Sequence, residues 1–192
     1  MTQALIDLLS TPWSYPVILG IAALDALVPV VPSETLAITG GVLAGIGDLH
    51  LGTVIASAAI GAFIGDSTGY LLGRKIGPRA RDRFFHGRRA RRALDWAERQ
   101  LAQRGAYLIL IARFIPGGRT ATTFTAGMVR LRPAVFFPMA AIAAVAWAGY
   151  AVLLGYYGGR VFEEQPLLAL GVALGIAFAV TAVVELAWKL RR

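Results

Sequence analysis

Five ionisable residues sit inside stretches that are otherwise apolar, and four of them bracket breaks in the chain. Asp25 and Glu34 flank Val28-Pro29-Val30-Val31-Pro32-Ser33, Arg113 and Arg119 flank Phe114-Ile115-Pro116-Gly117-Gly118, and Asp66 interrupts a third apolar stretch. An arginine guanidinium grips a phosphate through two parallel hydrogen bonds. A helix restarting over Gly117, Gly118 and Thr120 would add backbone N–H groups that favour an anion. The carboxylates suit different chemistry. Desolvation raises the pKa of an acid towards the working range, which makes Glu34, Asp25 and Asp66 candidates for proton exchange. A structural reading stands beside this one, in which Asp25 or Glu34 pairs with Arg113 or Arg119 and ties the two breaks together.

The surroundings of these groups are those of a membrane protein. The 192 residues are 57% hydrophobic and 16% charged, against about 25% charged in soluble domains. That composition argues against a secreted disulfide scaffold, a disordered chain or a cytosolic enzyme. Cysteine is absent, which removes thiol catalysis and cysteine metal sites. A charge at the bilayer centre costs about 2.5–3.5 kcal/mol even on insertion scales, so five such groups must pair with one another or face water.

Apolar regions of spanning length follow from the sequence, a crossing helix needing roughly 20 residues. Residues 51–73 and 133–159 read as transmembrane helices, and 166–188 as a third, C-terminal one. Residues 14–47 and 106–128 are apolar but broken by proline and glycine. Proline removes a backbone donor, and bare backbone cannot face lipid, so both are expected to be re-entrant hairpins. The net charge of +8 is concentrated in residues 74–104, with eleven bases against three acids. Within it, residues 77–104 read as a basic amphipathic helix lying on the cytoplasmic face, against anionic lipid headgroups. Nucleic acid is the competing partner for such a cluster, but no aromatic stacking platform accompanies the arginines. The tail Lys189, Arg191 and Arg192 places the C-terminus on the same side. No lysine or arginine precedes Arg74, so the N-terminal segment lacks the basic region of a signal peptide and is expected to remain in the mature protein.

An internal repeat organises the chain. Gly69-Tyr70-Leu71-Leu72-Gly73-Arg74 recurs as Gly155-Tyr156-Tyr157-Gly158-Gly159-Arg160, an offset of 86, and Gly41 matches Gly127 at the same offset. Each unit is a broken hairpin, then a span, then the Gly-Tyr motif. One span separates the units, so the second is expected to be inverted, an arrangement known from transporters. The expected fold is therefore an all-α integral membrane protein forming a single membrane domain over residues 1–192. It has an inverted repeat of re-entrant hairpin plus transmembrane helix, a basic amphipathic helix between the repeats, and a C-terminal transmembrane helix.

Other chemistry is weakly represented. His50 and His86 have no partner set resembling a metal site, and Ser33 and Ser67 have no histidine near them in a motif. Trp96, Trp147 and Trp188 read as interfacial or packing aromatics. No metal or cofactor is expected.

The same residues carry a family resemblance. Pro32-Ser33-Glu34, Gly65-Asp66 with Tyr70, Gly73 and Arg74, and Arg113-Phe114-Ile115-Pro116-Gly117 with Arg119 form its strongest signatures, joined by Ala126-Gly127, Trp147 and Gly155-Tyr156. Over residues 14–160 the chain resembles bacterial DedA-family membrane proteins, which share a domain with eukaryotic VTT-domain (SNARE-associated Golgi) proteins. The resemblance implies two opposed re-entrant hairpins and movement of lipid across the bilayer. Its implied substrate in bacteria is undecaprenyl phosphate, returned to the inner leaflet with proton coupling. The family's functional acids map onto Asp25 and Glu34, and its paired arginines onto Arg113 and Arg119. The first acid is often Glu in relatives, so Asp25 is a shorter variant.

The resulting expectation is a non-enzymatic, proton-coupled translocase of a polyprenyl phosphate in the bacterial cytoplasmic membrane, as a monomer or a homo-oligomer. Arg113, Arg119, Gly117, Gly118 and Thr120 would hold the phosphate; of the proton-coupling acids Glu34, Asp25 and Asp66, the first two would exchange protons while Asp66 would orient or pair with an arginine. A non-selective phospholipid scramblase, a proton-driven exporter of small solutes and, last, a lipid phosphatase are the alternatives.

Overall fold

The computed structural model describes residues 13–27, 33–84, 99–101, 107–111, 113, 118–161 and 175. All regular structure among them is helical: α1 (Ser14–Leu27), α2 (Ser33–Gly45), α3 (Leu51–Phe84), α4 (Gly118–Met128) and α5 (Pro133–Val161), with further helical residues at 99–101 and 107–111. Two stretches, Leu51–Gly77 and Pro133–Val161, are long and apolar enough to cross a membrane. The proline tips at 28–32 and 114–117, most of the 77–104 segment and the 166–188 segment lie outside the described residues.

Local chemistry sets where the long helices start. The His50 carbonyl accepts the N–H groups of Thr53 and Val54, its ring meets the Thr53 hydroxyl at 3.2 Å, and its own N–H is taken by the Tyr15 hydroxyl at 3.0 Å. His50 thus caps α3, which is a structural use for that histidine. Pro133 opens α5, the position where its missing N–H costs nothing and its fixed φ suits a helix.

α3 is longer than the span expected at 51–73, continuing through Gly73 and Gly77 to Phe84. Those glycines do not stop the helix because they are used for packing. A Cβ at Gly73 would meet the Phe124 carbonyl, and one at Gly77 would meet Met128. They let α4 approach the backbone of α3, as small residues do between membrane helices.

Packing separates the arms of the first broken segment. α1 lies along α3 and α2 along α5, and both of these contacts are far more extensive than the contact between α1 and α2; α4 lies along α3, and α3 also meets α5. The interhelical core is built mostly from small residues: Ala22, Ala37, Ala58, Ala62, Ala144, Ala148 and Ala151 are all buried in one cluster. The apolar side chains of Ile60, Ile64, Leu71, Ile142 and Val145 point outward instead. That inversion, small inside and large aliphatic outside, suits a helix bundle solvated by lipid.

The 86-residue repeat reappears in this packing. A Cβ at Gly41 would strike the backbone of Val152 and Tyr156 on α5, and one at Gly127 would strike the backbone of Tyr70 and Arg74 on α3. The match slips by one helical turn at the motif glycines: Gly155 faces the Ile38 carbonyl, whereas the Phe124 carbonyl, 86 residues on from Ile38, is faced by Gly73 rather than Gly69. In each motif the arginine also reaches back to its own tyrosine. Arg74 donates to the Tyr70 hydroxyl at 2.8 Å, and the Arg160 guanidinium lies 5.7 Å from the centre of the Tyr156 ring.

The two short helices α2 and α4 end differently. After α2 the chain turns through Gly47 at φ +95, with the Asp48 N–H returning to the Leu43 carbonyl. After α4 the equivalent left-handed residue is Arg130 at φ 55, with Arg130 N–H on Gly127 and Leu131 N–H on Ala126. This is the Schellman hydrogen-bond pattern, usually completed by glycine. For a residue with a Cβ that conformation costs about 1–2 kcal/mol.

Candidate functional site: a buried charge cluster at the crossing of the long helices

Asp66 belongs to α3, two residues past the centre of its apolar stretch, and is 1% exposed. A carboxylate there is tolerable only if its oxygens are fully used. Both are. Oδ2 accepts from Arg113 Nη1 at 2.5 Å, and Oδ1 accepts from Arg119 Nε at 2.6 Å. One carboxylate therefore holds two guanidinium groups, and the second acid completes the charge balance: Arg119 Nη1 donates to Asp25 Oδ2 at 3.2 Å. Asp25 Oδ2 also accepts from the Ser33 hydroxyl at 2.6 Å. Two acids and two bases, drawn from α1, α3, the start of α4 and residue 113, thus form one network with no net charge.

Helix ends help to place these groups. The last four carbonyls of a helix lack intrahelical donors, and α1 ends at Leu27 beside the first turn of α4. The Thr120 hydroxyl donates to the Ala26 carbonyl at 3.0 Å, satisfying one of them. Arg119 Nη2 donates to the Ala62 carbonyl at 3.1 Å and, at 3.5 Å, lies against that of Ala22. Asp25 faces the N-terminal end of α4, where the helix dipole favours a negative charge.

The two arginines differ in what they have left. Every nitrogen of Arg119 is engaged by Asp66, Asp25 or a backbone carbonyl. Arg113 uses only Nη1 among the described residues; its side chain is 3% exposed, and its Nε and Nη2 are buried with no hydrogen-bond partner among them. Those two N–H groups point the same way in the guanidinium plane, forming the fork that a phosphate or carboxylate takes bidentately. The Trp147 ring lies beside both cations, 5.3 Å from the Arg113 guanidinium carbon and 5.9 Å from that of Arg119. Contacts of this length are within cation–π range. Trp147 is the middle residue of α5, fourteen positions from each end, so both long helices contribute their midpoints to the site.

Of the residues singled out in the sequence, Asp25, Asp66, Arg113, Arg119 and Thr120 come together. Gly118 is the first residue of α4, and Gly117 lies outside the described residues. Glu34 is half-buried one residue beyond Ser33 and takes part in none of the three ion pairs of the cluster. The Asp25–Arg119 pair is one of those the structural reading anticipated. Two contributors were not anticipated in these roles, the Ser33 hydroxyl on Asp25 and the Trp147 ring beside the arginines. For Trp147 a signal existed: a tryptophan at the middle of a 29-residue apolar stretch is far from the interfaces that usually hold it. Among the described residues no group of acids and histidines could hold a metal ion.

A helical membrane protein whose apolar spans close around paired acids and arginines is the class that fold and site define. The VTT domain model matches residues 31–157, a stretch that contains four of the five ionisable residues and Trp147. The chain belongs to this family and is a DedA-family membrane protein. It is 33% identical over 157 residues to an uncharacterized membrane protein of Mycobacterium leprae, covering 79% of this chain and 68% of that one. It is 28% identical over 165 residues to Protein DedA of Escherichia coli, covering 81% and 72%. It is 29% identical over 164 residues to a Staphylococcus aureus protein named undecaprenyl phosphate transporter A, covering 81% and 78%. No solved structure gives a significant match.

Proposed function

We propose that this protein translocates a polyprenyl phosphate, undecaprenyl phosphate in the first instance, across the bacterial cytoplasmic membrane with proton coupling. The observation that carries the proposal is the Nε–Nη2 edge of Arg113, buried near the midpoint of the spans and unused by any described residue. A buried guanidinium with two free donors is a strained arrangement, and a phosphate monoester relieves it with the right charge and geometry. Arg119 holds the cluster together while Arg113 takes the headgroup, and the first turn of α4 from Gly118 to Thr120, together with Gly117, lends its backbone donors. The isoprenoid chain stays in lipid. The two broken segments act as opposed re-entrant hairpins of an inverted repeat, a reading supported by the recurrence of the Gly41 and Gly127 contacts.

Protons enter through the acids. When a phosphate binds, it competes with Asp66 and Asp25 for the arginines, and protonation of Asp25 or Glu34 lowers the electrostatic cost of that exchange. A membrane potential supplies about 2.3 kcal/mol per 100 mV for each charge moved. The name of the staphylococcal relative supports the substrate class.

The test is transbilayer movement of a labelled polyprenyl phosphate in proteoliposomes, with and without a proton gradient, beside labelled phosphatidylcholine. Selective, gradient-dependent movement that Arg113→Lys slows at least about tenfold in folded protein is the expected outcome. Equal movement of both lipids would make the protein a scramblase. No movement of either would direct the search to water-soluble cargo.

A further inference from the structure

A second cluster of cations lies away from the central one, at the end of the apolar part of α3. Arg74 is eight residues beyond Asp66, about 12 Å along the helix axis at 1.5 Å per residue. In a hydrocarbon core about 30 Å thick, that distance carries a group from near the midplane almost to the headgroup layer. Two further arginines, Arg130 and Arg132, flank Leu131 in the turn between α4 and α5, and the buried Tyr70 hydroxyl ties this turn to α3. It donates to the Leu131 carbonyl at 2.6 Å and accepts from Arg74 Nη1 at 2.8 Å. Arg74, Lys75, Arg130 and Arg132 are all exposed. None of them forms an ion pair among the described residues.

Two observations indicate that these cations serve a ligand. Arg130 occupies a left-handed position that glycine fills without strain, as Gly47 does at the end of α2. A strained arginine at such a stop points to a use for its side chain. The neighbouring surface carries exposed aliphatic side chains: Leu71, three residues before Arg74 on the same side of α3, is 54% exposed, and Val135, one turn beyond Arg132, is 36% exposed. A free anion would gain nothing from those aliphatic side chains, whereas a phospholipid offers a phosphate to the arginines and acyl chain to Leu71 and Val135.

We propose that Arg74, Arg130 and Arg132, with Lys75 beside them, form an interfacial docking site for the headgroup of an anionic phospholipid, distinct from the central cluster. Tyr70 is its positioning residue, since its hydroxyl fixes Arg74 and the 130–132 turn together. The site does not depend on which lipid, if any, the central cluster moves.

The experiment measures phosphatidylglycerol and phosphatidylcholine retained by the full-length protein in detergent–lipid mixtures, by native mass spectrometry. The variants are Arg130→Gly and the double substitution Arg130→Gly with Arg132→Gln, with thermal unfolding followed in parallel. Removing two interfacial cations is expected to weaken phosphatidylglycerol retention roughly tenfold or more, to leave phosphatidylcholine retention unchanged, and to weaken the effect of salt on the difference. Arg130→Gly is expected to unfold at the same or a higher temperature, because glycine relieves the left-handed strain. Unchanged phosphatidylglycerol retention in the double variant would overturn the proposal. So would displacement of the lipid by millimolar inorganic phosphate, which would show a simple ion site, or a loss of stability in Arg130→Gly, which would make Arg130 a structural residue. Unaltered polyprenyl phosphate flipping in the double variant would support the separation of this site from the central one.

Discussion

Asp66 and Arg119 are joined by a 2.6 Å hydrogen bond between Oδ1 and Nε, and the other oxygen of the same carboxylate holds Arg113. Asp66 is thus the one acid that both arginines share. Arg119 has a second acid in Asp25, but Arg113 has no other ion-pair partner among the described residues.

Removing that carboxylate should therefore be the most damaging single change in the cluster. Asp66→Asn leaves a buried guanidinium uncompensated, and breaking a buried pair from one side costs about 3–5 kcal/mol. Thermal unfolding of the purified variant in detergent should fall sharply or show no folded protein. A melting curve matching wild type would mean that the ion pairs are not what holds α3 against the start of α4.

The two arginines should respond differently to lysine. Arg113→Lys preserves the charge and a bond to Asp66 but removes the Nε–Nη2 fork. Charge-assisted hydrogen bonds are worth about 1.5–3 kcal/mol, so translocation should drop roughly tenfold to a hundredfold with little change in stability. Arg119→Lys cannot reach two acids and a backbone carbonyl at once, so its main effect should be on unfolding temperature. Equal losses of stability from both substitutions would remove the division of labour.

Trp147 provides a graded test of the contacts beside the arginines. Trp147→Phe keeps a ring, whereas Trp147→Leu keeps only apolar volume. Cation–π contacts contribute about 0.5–2 kcal/mol, and Trp is the strongest ring partner. Stability and transport should both fall in the order wild type, Phe, Leu; identical behaviour of the two variants would reduce Trp147 to filler.

Glycine substitutions test the packing repeat. A Cβ at Gly41 or Gly127 would run into the backbone of the facing long helix, whereas one at Gly149 would meet nothing within 4 Å. Gly41→Ala and Gly127→Ala should each destabilise by about 1–3 kcal/mol or more, the range for overpacked positions. Gly149→Ala should stabilise the helix by up to about 1 kcal/mol. The three melting temperatures, taken in one detergent, decide the matter.

Much of this protein is written along the chain. The two apolar stretches, the proline breaks, the charges beside them and the Gly-Tyr-x-x-Gly-Arg repeat are local patterns, readable because a bilayer imposes length and polarity on every segment that crosses it. The candidates Asp25, Asp66, Arg113 and Arg119 were legible for the same reason: charge in an apolar stretch is costly and therefore conspicuous. Their partners were legible only as a class: an acid was expected to meet an arginine, but not which acid would meet which. Nothing local pairs Asp66 with residues 47 and 53 positions away, or puts the middle of α5 beside both cations. The apolar run bounds the expected span at Gly73, where the basic residues begin, yet α3 continues through Gly73 and Gly77 to Phe84, where the missing Cβ atoms admit α4. The choice of which arginine is saturated and which keeps two free donors belongs to tertiary structure alone. It follows from distances among α1, α3 and α4, set by buried alanines and glycines whose own sequence signal is only that they are small.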